Sequence, residues 1–173
     1  QPVSILAAAF TATSAVTVTG LNVVDTANYT TFGQLVIAAL IQFGGLGFMT
    51  FAILVLTSLQ GKMGLSGSIT AQEALGTHSN QIGSTAKAVI KIAFITEGLG
   101  FLGLTLLLAP LKGLKDAMYE AFFLCISAFN NAGFALNGNN MTAYVHQPMI
   151  SFIISLLIIT GGIGFLVILD IIK

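Results

Sequence analysis

Phe10–Leu21, FTATSAVTVTGL, is answered later in the chain by Phe123–Phe134, FLCISAFNNAGF. Phe10, Ser14, Ala15 and Gly20 fall over Phe123, Ser127, Ala128 and Gly133 at a constant offset of 113. Each stretch ends a short apolar run, Val3–Ser14 or Ala117–Phe129, and leads into a polar loop, Asp25–Thr31 or Asn137–Pro148. A second match follows each loop: Gly44–Phe48, GGLGF, lies over Gly161–Phe165, GGIGF, at an offset of 117. The four extra residues fit the longer second loop. A helical run of about 12–13 residues is about 20 Å long. That is too short to cross a bilayer core of about 30 Å, and it suits a re-entrant segment.

The rest of the chain supplies the membrane. Of 173 residues, 55% are hydrophobic and 7% charged, with a mean hydropathy of +0.96. All six basic residues are lysines, balanced by six acids. A water-facing surface needs roughly 25–35% charged residues, so a soluble enzyme is excluded. A nucleic-acid binder is excluded too, because no basic stripe is present. No charge occurs at 1–24, 26–61 or 121–169. Three long apolar spans are expected, at Phe32–Leu59, Ala88–Leu108 and Met149–Ile172. Gln60–Thr85 reads as an aqueous loop, with a short helix near Thr70–Leu75. Pro110 and the cluster Lys112–Asp116 are expected to close the second span. The opening Gln1-Pro2-Val3 carries no initiator Met and no basic leader, and reads as the interior of a longer chain. Cys125 has no partner for an internal disulfide.

These elements predict an all-α membrane protein of parallel helix–re-entrant pore loop–helix repeats, incomplete here. Residues 1–59 form the end of a first repeat, 60–85 a cytoplasmic loop and 86–173 a second repeat with its own outer helix. Lys62, Lys87, Lys91 and Lys173 share one face, which the positive-inside rule makes cytoplasmic. The repeats run in the same direction, unlike the inverted repeats of carriers.

Irregular backbone at membrane depth is tolerated only where it lines a cavity or is buried in protein. Thr17, Val18, Thr19, Gly20 and Leu21 meet that requirement, and Asn130, Asn131, Ala132, Gly133 and Phe134 repeat it. Backbone carbonyls there could replace the hydration shell of a bare cation. The preceding helix would aim its negative dipole end at the same point. A filter of uncharged oxygens suits a monovalent alkali cation. Gly44, Gly45, Gly47 and Gly161, Gly162, Gly164 read as small residues for close helix packing, with space beside the filter as the sharper alternative. Glu97, inside a span, is a candidate functional residue or a structural support behind a pore helix. Asp25 either attracts cations at the outer mouth or caps its loop. Cys125 reads as packing.

The motifs ATSAVTVTGLNVVDT (Ala12–Thr26), LIQFGGLGFMTFA (Leu40–Ala52), ISAFNNAGFAL (Ile126–Leu136) and ITGGIGF (Ile159–Phe165) resemble the Trk/Ktr/HKT superfamily of potassium transporters, most closely its bacterial KtrB-type members. They cover most of the chain in the family's order. The resemblance implies that each repeat supplies one quarter of a selectivity filter. Potassium would bind at Val18, Thr19, Gly20, Asn131, Ala132 and Gly133, with no covalent cofactor. A Gly at position 20 goes with potassium, where a Ser would go with sodium. The resemblance further implies a multi-pass protein of the cell membrane, a homodimer, two remaining pore repeats, and a cytosolic nucleotide-binding ring of KtrA type. A sodium-selective member of the superfamily, and a non-conducting scaffold or carrier, are the alternatives.

Overall fold

Ser4 starts the first helix, its hydroxyl accepting the Ala7 N–H at 3.2 Å. A serine in that place satisfies one of the orphan donors of a helix start. The computed structural model describes residues 3–47, 82–138 and 140–163. They form α1 (Ile5–Val16), α2 (Thr31–Gly45), α3 (Ile82–Lys112), α4 (Leu114–Phe129) and α5 (Pro148–Gly162), with 3-10 turns at Thr26–Asn28 and Asn140–Tyr144. Thr30 caps α2 by accepting the Gly33 N–H. Pro148 opens α5, where its missing N–H would be unpaired anyway. The protein is all-α, with no strand among the described residues.

Three boundaries differ from expectation. The span expected at Phe32–Leu59 is interrupted: α2 stops at Gly45, and Gly47 turns to φ +80° with its N–H on the Gly44 carbonyl. Two glycines in the last turn weaken the helix, and a third takes the left-handed position that commonly ends one. Residues 48–59 of that span lie outside the described residues, as do 164–172 of the span Met149–Ile172. Most of the expected loop Gln60–Thr85 also lies outside them, but Ile82–Thr85 already belong to α3.

Pro110 does not end α3, which runs on to Lys112. A proline in the last turn removes only one hydrogen bond, and the break comes at Gly113, φ +84°. The second span therefore closes within the cluster Lys112–Asp116, as expected, but at Gly113 and not at Pro110. Gly113 alone separates α3 from α4, its N–H on the Ala109 carbonyl and its own carbonyl accepting the Ala117 N–H. The short pore-type helix thus starts at Leu114 rather than Ala117, with Asp116 in its first turn, where the helix dipole favours an acid.

Of the described helices, α3 is long and apolar enough to cross a membrane, over Ala88–Lys112. α4 lies at the centre, packed on α3, α5 and α2, while α1 packs on α2. One core sits in the second repeat, around Leu104, Leu108, Leu124, Phe129 and Ile154, and takes in Leu46 from the first. The other joins the repeats, with Ala15, Ile37 and Ile41 against Phe123, Ile126 and Phe134. Leu99, Leu102 and Leu106 on α3, and Phe152 and Ile159 on α5, point outward. An apolar exterior over helices that satisfy their own backbone is what a lipid solvent requires.

Candidate functional site

The helices α1 and α4 end in the same way, bond for bond. After Val16, the Thr19 N–H reaches back to the Ser14 carbonyl at 2.9 Å and the Val18 N–H to the Ala15 carbonyl at 3.2 Å. After Phe129, the Ala132 N–H reaches Ser127 at 2.8 Å and the Asn131 N–H reaches Ala128 at 3.1 Å. This pair of bonds, six-to-one and five-to-two, is the Schellman closure. It needs a left-handed residue, and Val18 (φ +49°) and Asn131 (φ +56°) take that place. Asparagine tolerates the conformation, whereas a β-branched valine there is an outlier. Two residues on, Gly20 (φ +82°) and Gly133 (φ +74°) turn the chain again. The predicted repeat is therefore a repeat of backbone geometry.

Each helix end is seated on a glycine from the helix after it. A Cβ at Gly44 would lie 1.9 Å from the Val16 carbonyl oxygen, and one at Gly161 would lie 1.7 Å from the Phe129 carbonyl oxygen. These glycines act in close packing. The two extended stretches also meet each other. A Cβ on Gly20 would stand 2.6 Å from the Ala132 carbonyl oxygen, and one on Gly133 would stand 3.6 Å from the Gly20 Cα.

Local bonds hold the first stretch. The Thr17 hydroxyl donates to the Thr13 carbonyl at 2.8 Å, and the Thr17 and Thr19 hydroxyls lie 2.7 Å apart. The Ser14 hydroxyl accepts the Leu21 N–H at 2.9 Å. Gly20 and Gly133 floor a cavity of about 180 Å³, walled by Asn22, Asp25, Asn137 and Asn140. Asp25 is exposed and makes no capping bond to the turn it precedes. Its Oδ2 lies 3.5 Å from where a Cβ on Gly138 would be, so a carboxylate of the first repeat sits beside the loop of the second. The capping alternative for Asp25 is not what the geometry displays.

Glu97 lies elsewhere. It is 7% exposed, on α3, behind the end of α4. Both of its oxygens accept from Gln42 Nε2, at 2.9 and 3.1 Å, and Asn130 Nδ2 lies 3.4 Å from Oε1. Glu97 thus faces amides from α2 and from the cap of α4. Cys125 is buried in packing.

Sequence reasoning missed Gln42, and also two polar clusters at the outer ends. Tyr119 donates to Gln34 Oε1 at 2.7 Å, and Gln34 donates to the Thr26 carbonyl at 3.0 Å. Those two bonds tie the first-repeat loop to α4. Glu120 accepts from Lys112 at 2.5 Å, from Asn137 at 2.6 Å and from the Tyr144 hydroxyl. Burial, together with the bond to the Glu120 carboxylate, pushes the Tyr144 phenol above its ordinary value. The only available signal for this cluster was a lone acid within an apolar run.

Comparison with known proteins gives the family. Residues 1–173 match the TrkH family, cation transport protein. The chain is 46% identical over 176 residues to the Ktr system potassium uptake protein B of Bacillus subtilis, covering 100% of this chain and 39% of that protein. It is 41% identical over 170 residues to the Ktr system potassium uptake protein B of Vibrio alginolyticus, covering 97% and 37%. It is 37% identical over 170 residues to the potassium/sodium uptake protein NtpJ of Enterococcus hirae, covering 96% and 37%. The chain thus spans less than two fifths of the length of each relative. With a whole-chain match and two helix ends closed alike, this chain belongs to the TrkH family of cation transport proteins, which are ion transporters rather than enzymes.

Proposed function

We propose that this chain supplies two of four pore loops through which potassium enters the cell across its membrane. The observation that carries the reading is the meeting of Gly20 and Gly133 beneath the cavity that Asp25 walls. Thr17–Leu21 and Asn130–Phe134 form the filter, and potassium is held by oxygens at Val18, Thr19, Gly20, Asn131, Ala132 and Gly133. Both helix C-termini direct negative partial charge at this place. Uncharged oxygens can replace the hydration shell of a monovalent cation. Asp25 raises the local cation concentration at the outer mouth.

The whole transporter crosses the membrane several times and closes the pore with two further repeats. It acts as a homodimer on a cytosolic nucleotide-binding ring of KtrA type. The word "system" in the names of the Bacillus and Vibrio relatives supports a multi-component assembly. A sodium-conducting reading has one observation behind it, the potassium/sodium name of the Enterococcus relative.

The test is rubidium and sodium uptake by the whole transporter in uptake-deficient cells, with and without Gly20→Ser. A side chain at position 20 meets the Ala132 carbonyl and a left-handed backbone. Rubidium uptake should fall about tenfold or more, the effect of about 1.4 kcal/mol at one site. Rubidium uptake indifferent to the substitution would leave Gly20 a packing residue. A sodium flux exceeding that of rubidium in the unaltered protein would establish the second reading.

A further inference from the structure

Behind the helix ends, three polar side chains from three elements join the two repeats. Gln42 comes from α2, Glu97 from α3 and Asn130 from the cap of α4. Beside them α2 and α3 part around an apolar cavity of about 450 Å³, walled by Leu35, Phe43, Phe94 and Phe101. The Gln42–Glu97 pair bridges two helices that otherwise share almost no packing.

The bonding has a direction. Both Glu97 oxygens accept from the one Gln42 nitrogen, so the amide turns its donor end to the acid. Nε2 turns to Glu97, at 2.9 and 3.1 Å, which turns Oε1 to Asn130 Nδ2 at 3.0 Å. Asn130 Nδ2 also donates to the Ile126 carbonyl at 2.9 Å. On its other side, Asn130 Oδ1 has no donor and presses on Gly45, where a Cβ would come within 1.9 Å. Asn130 is thereby held through its Nδ2 by α2 and by its own helix, and the next residue is the left-handed Asn131. Hydrogen bonds of this kind are stronger in a low dielectric than in water. The first repeat has no counterpart, because Thr17 stands where Asn130 does and bonds within its own helix end. Gln42, Glu97 and Asn130 do not line the cavity above Gly20 and Gly133, so the carboxylate acts at a distance from the ion.

We infer that Glu97 is a positioning residue for ion selection: acting through Gln42 and Asn130, it sets the course of the backbone at Asn131–Phe134 and with it the preference for potassium over sodium. The inference rests on the pore reading proposed above.

It is tested in the whole transporter by the ratio of rubidium to sodium uptake, normalised to the amount of membrane-inserted protein. Glu97→Ala should lower the ratio about tenfold, equivalent to about 1.4 kcal/mol, and Glu97→Gln about threefold. Exchanging the pair, Gln42→Glu with Glu97→Gln, again sets an acid against an amide and should restore most of the ratio. A role in folding alone would reduce the amount of inserted protein and leave the ratio unmoved. If Glu97→Ala does not insert, Glu97→Gln and the exchange decide. An unchanged ratio in Glu97→Gln, or an exchange no better than Glu97→Gln alone, overturns the inference while the pore reading stands. No rubidium uptake by the unaltered transporter overturns both.

Discussion

The helix ends at Val16 and Phe129 share a backbone but not the means of holding it. Both close with the same two back-bonds, and both rest a carbonyl on a glycine of the following helix. Beyond that they diverge. The first end is held by its own hydroxyls, with Thr17 on Thr13 and Ser14 on Leu21. The second is held from outside, by an amide and an acid on two other helices. The shared part is main-chain shape, set by the back-bonds and the seating glycines. The divergent part shows that each repeat stabilises that shape with whatever its neighbours offer, so the symmetry belongs to the main chain and stops there.

The sharpest way to break the comparison is at the shared glycines. Gly44→Ala and Gly161→Ala each force a methyl against a backbone carbonyl that cannot swing aside. Overpacking of that kind costs about 3 kcal/mol or more, and both variants should lose most inserted protein and most thermal stability in detergent. If either variant melts like the unaltered protein, close packing is not what holds its helix end.

A middle-sized effect separates Val18 from Asn131. Left-handed backbone costs a residue such as valine about 1–2 kcal/mol, and asparagine is better suited to it. Val18→Asn should raise stability by about 1 kcal/mol, and Asn131→Val should lower it by a similar amount. Thermal unfolding of the two variants measures this directly. Changes of the same sign would mean that the left-handed turns are not equivalent.

The last contrast, which includes the one variant expected to be near neutral, concerns the two serines. Ser14→Ala removes the bond to the Leu21 N–H and should cost about 1 kcal/mol. Ser127 makes no matching side-chain bond among the described residues, so Ser127→Ala should be close to neutral. Equal costs in a denaturant series would show that the second repeat uses its serine as the first does.

The sequence made the repeat legible because close backbone approach leaves so few choices. Gly20 and Gly133, like Gly44 and Gly161, mark places where no Cβ fits or the chain must turn, so they survive as a pattern. The span ending at Gly45 was hidden because hydropathy continues through a break that three glycines make. Pro110 misled for the opposite reason, since a proline so near a helix end removes little and the true stop is the bare Gly113. Gln42 could not be found by repetition at all. Its counterpart at the offset of 117 is Ile159, and its partner Glu97 lies 55 positions away on another helix. Side chains that break symmetry leave no periodic trace.

Gly45 carries a consequence for how the protein is made. The surface that closes over it is Asn130, whose amide also binds Gln42, 88 positions earlier in the chain. During synthesis α2 therefore waits for a segment that has yet to be translated. Until α4 arrives, the Gln42 amide can be met on its Nε2 side alone, by Glu97 of α3, its Oε1 has no donor in a medium without water, and the notch at Gly45 stands open. The first repeat is thus born unfinished, and α2 completes its polar contacts only once its successor docks. A ribosome paused between the repeats should leave a nascent chain that depends on membrane chaperones or is degraded.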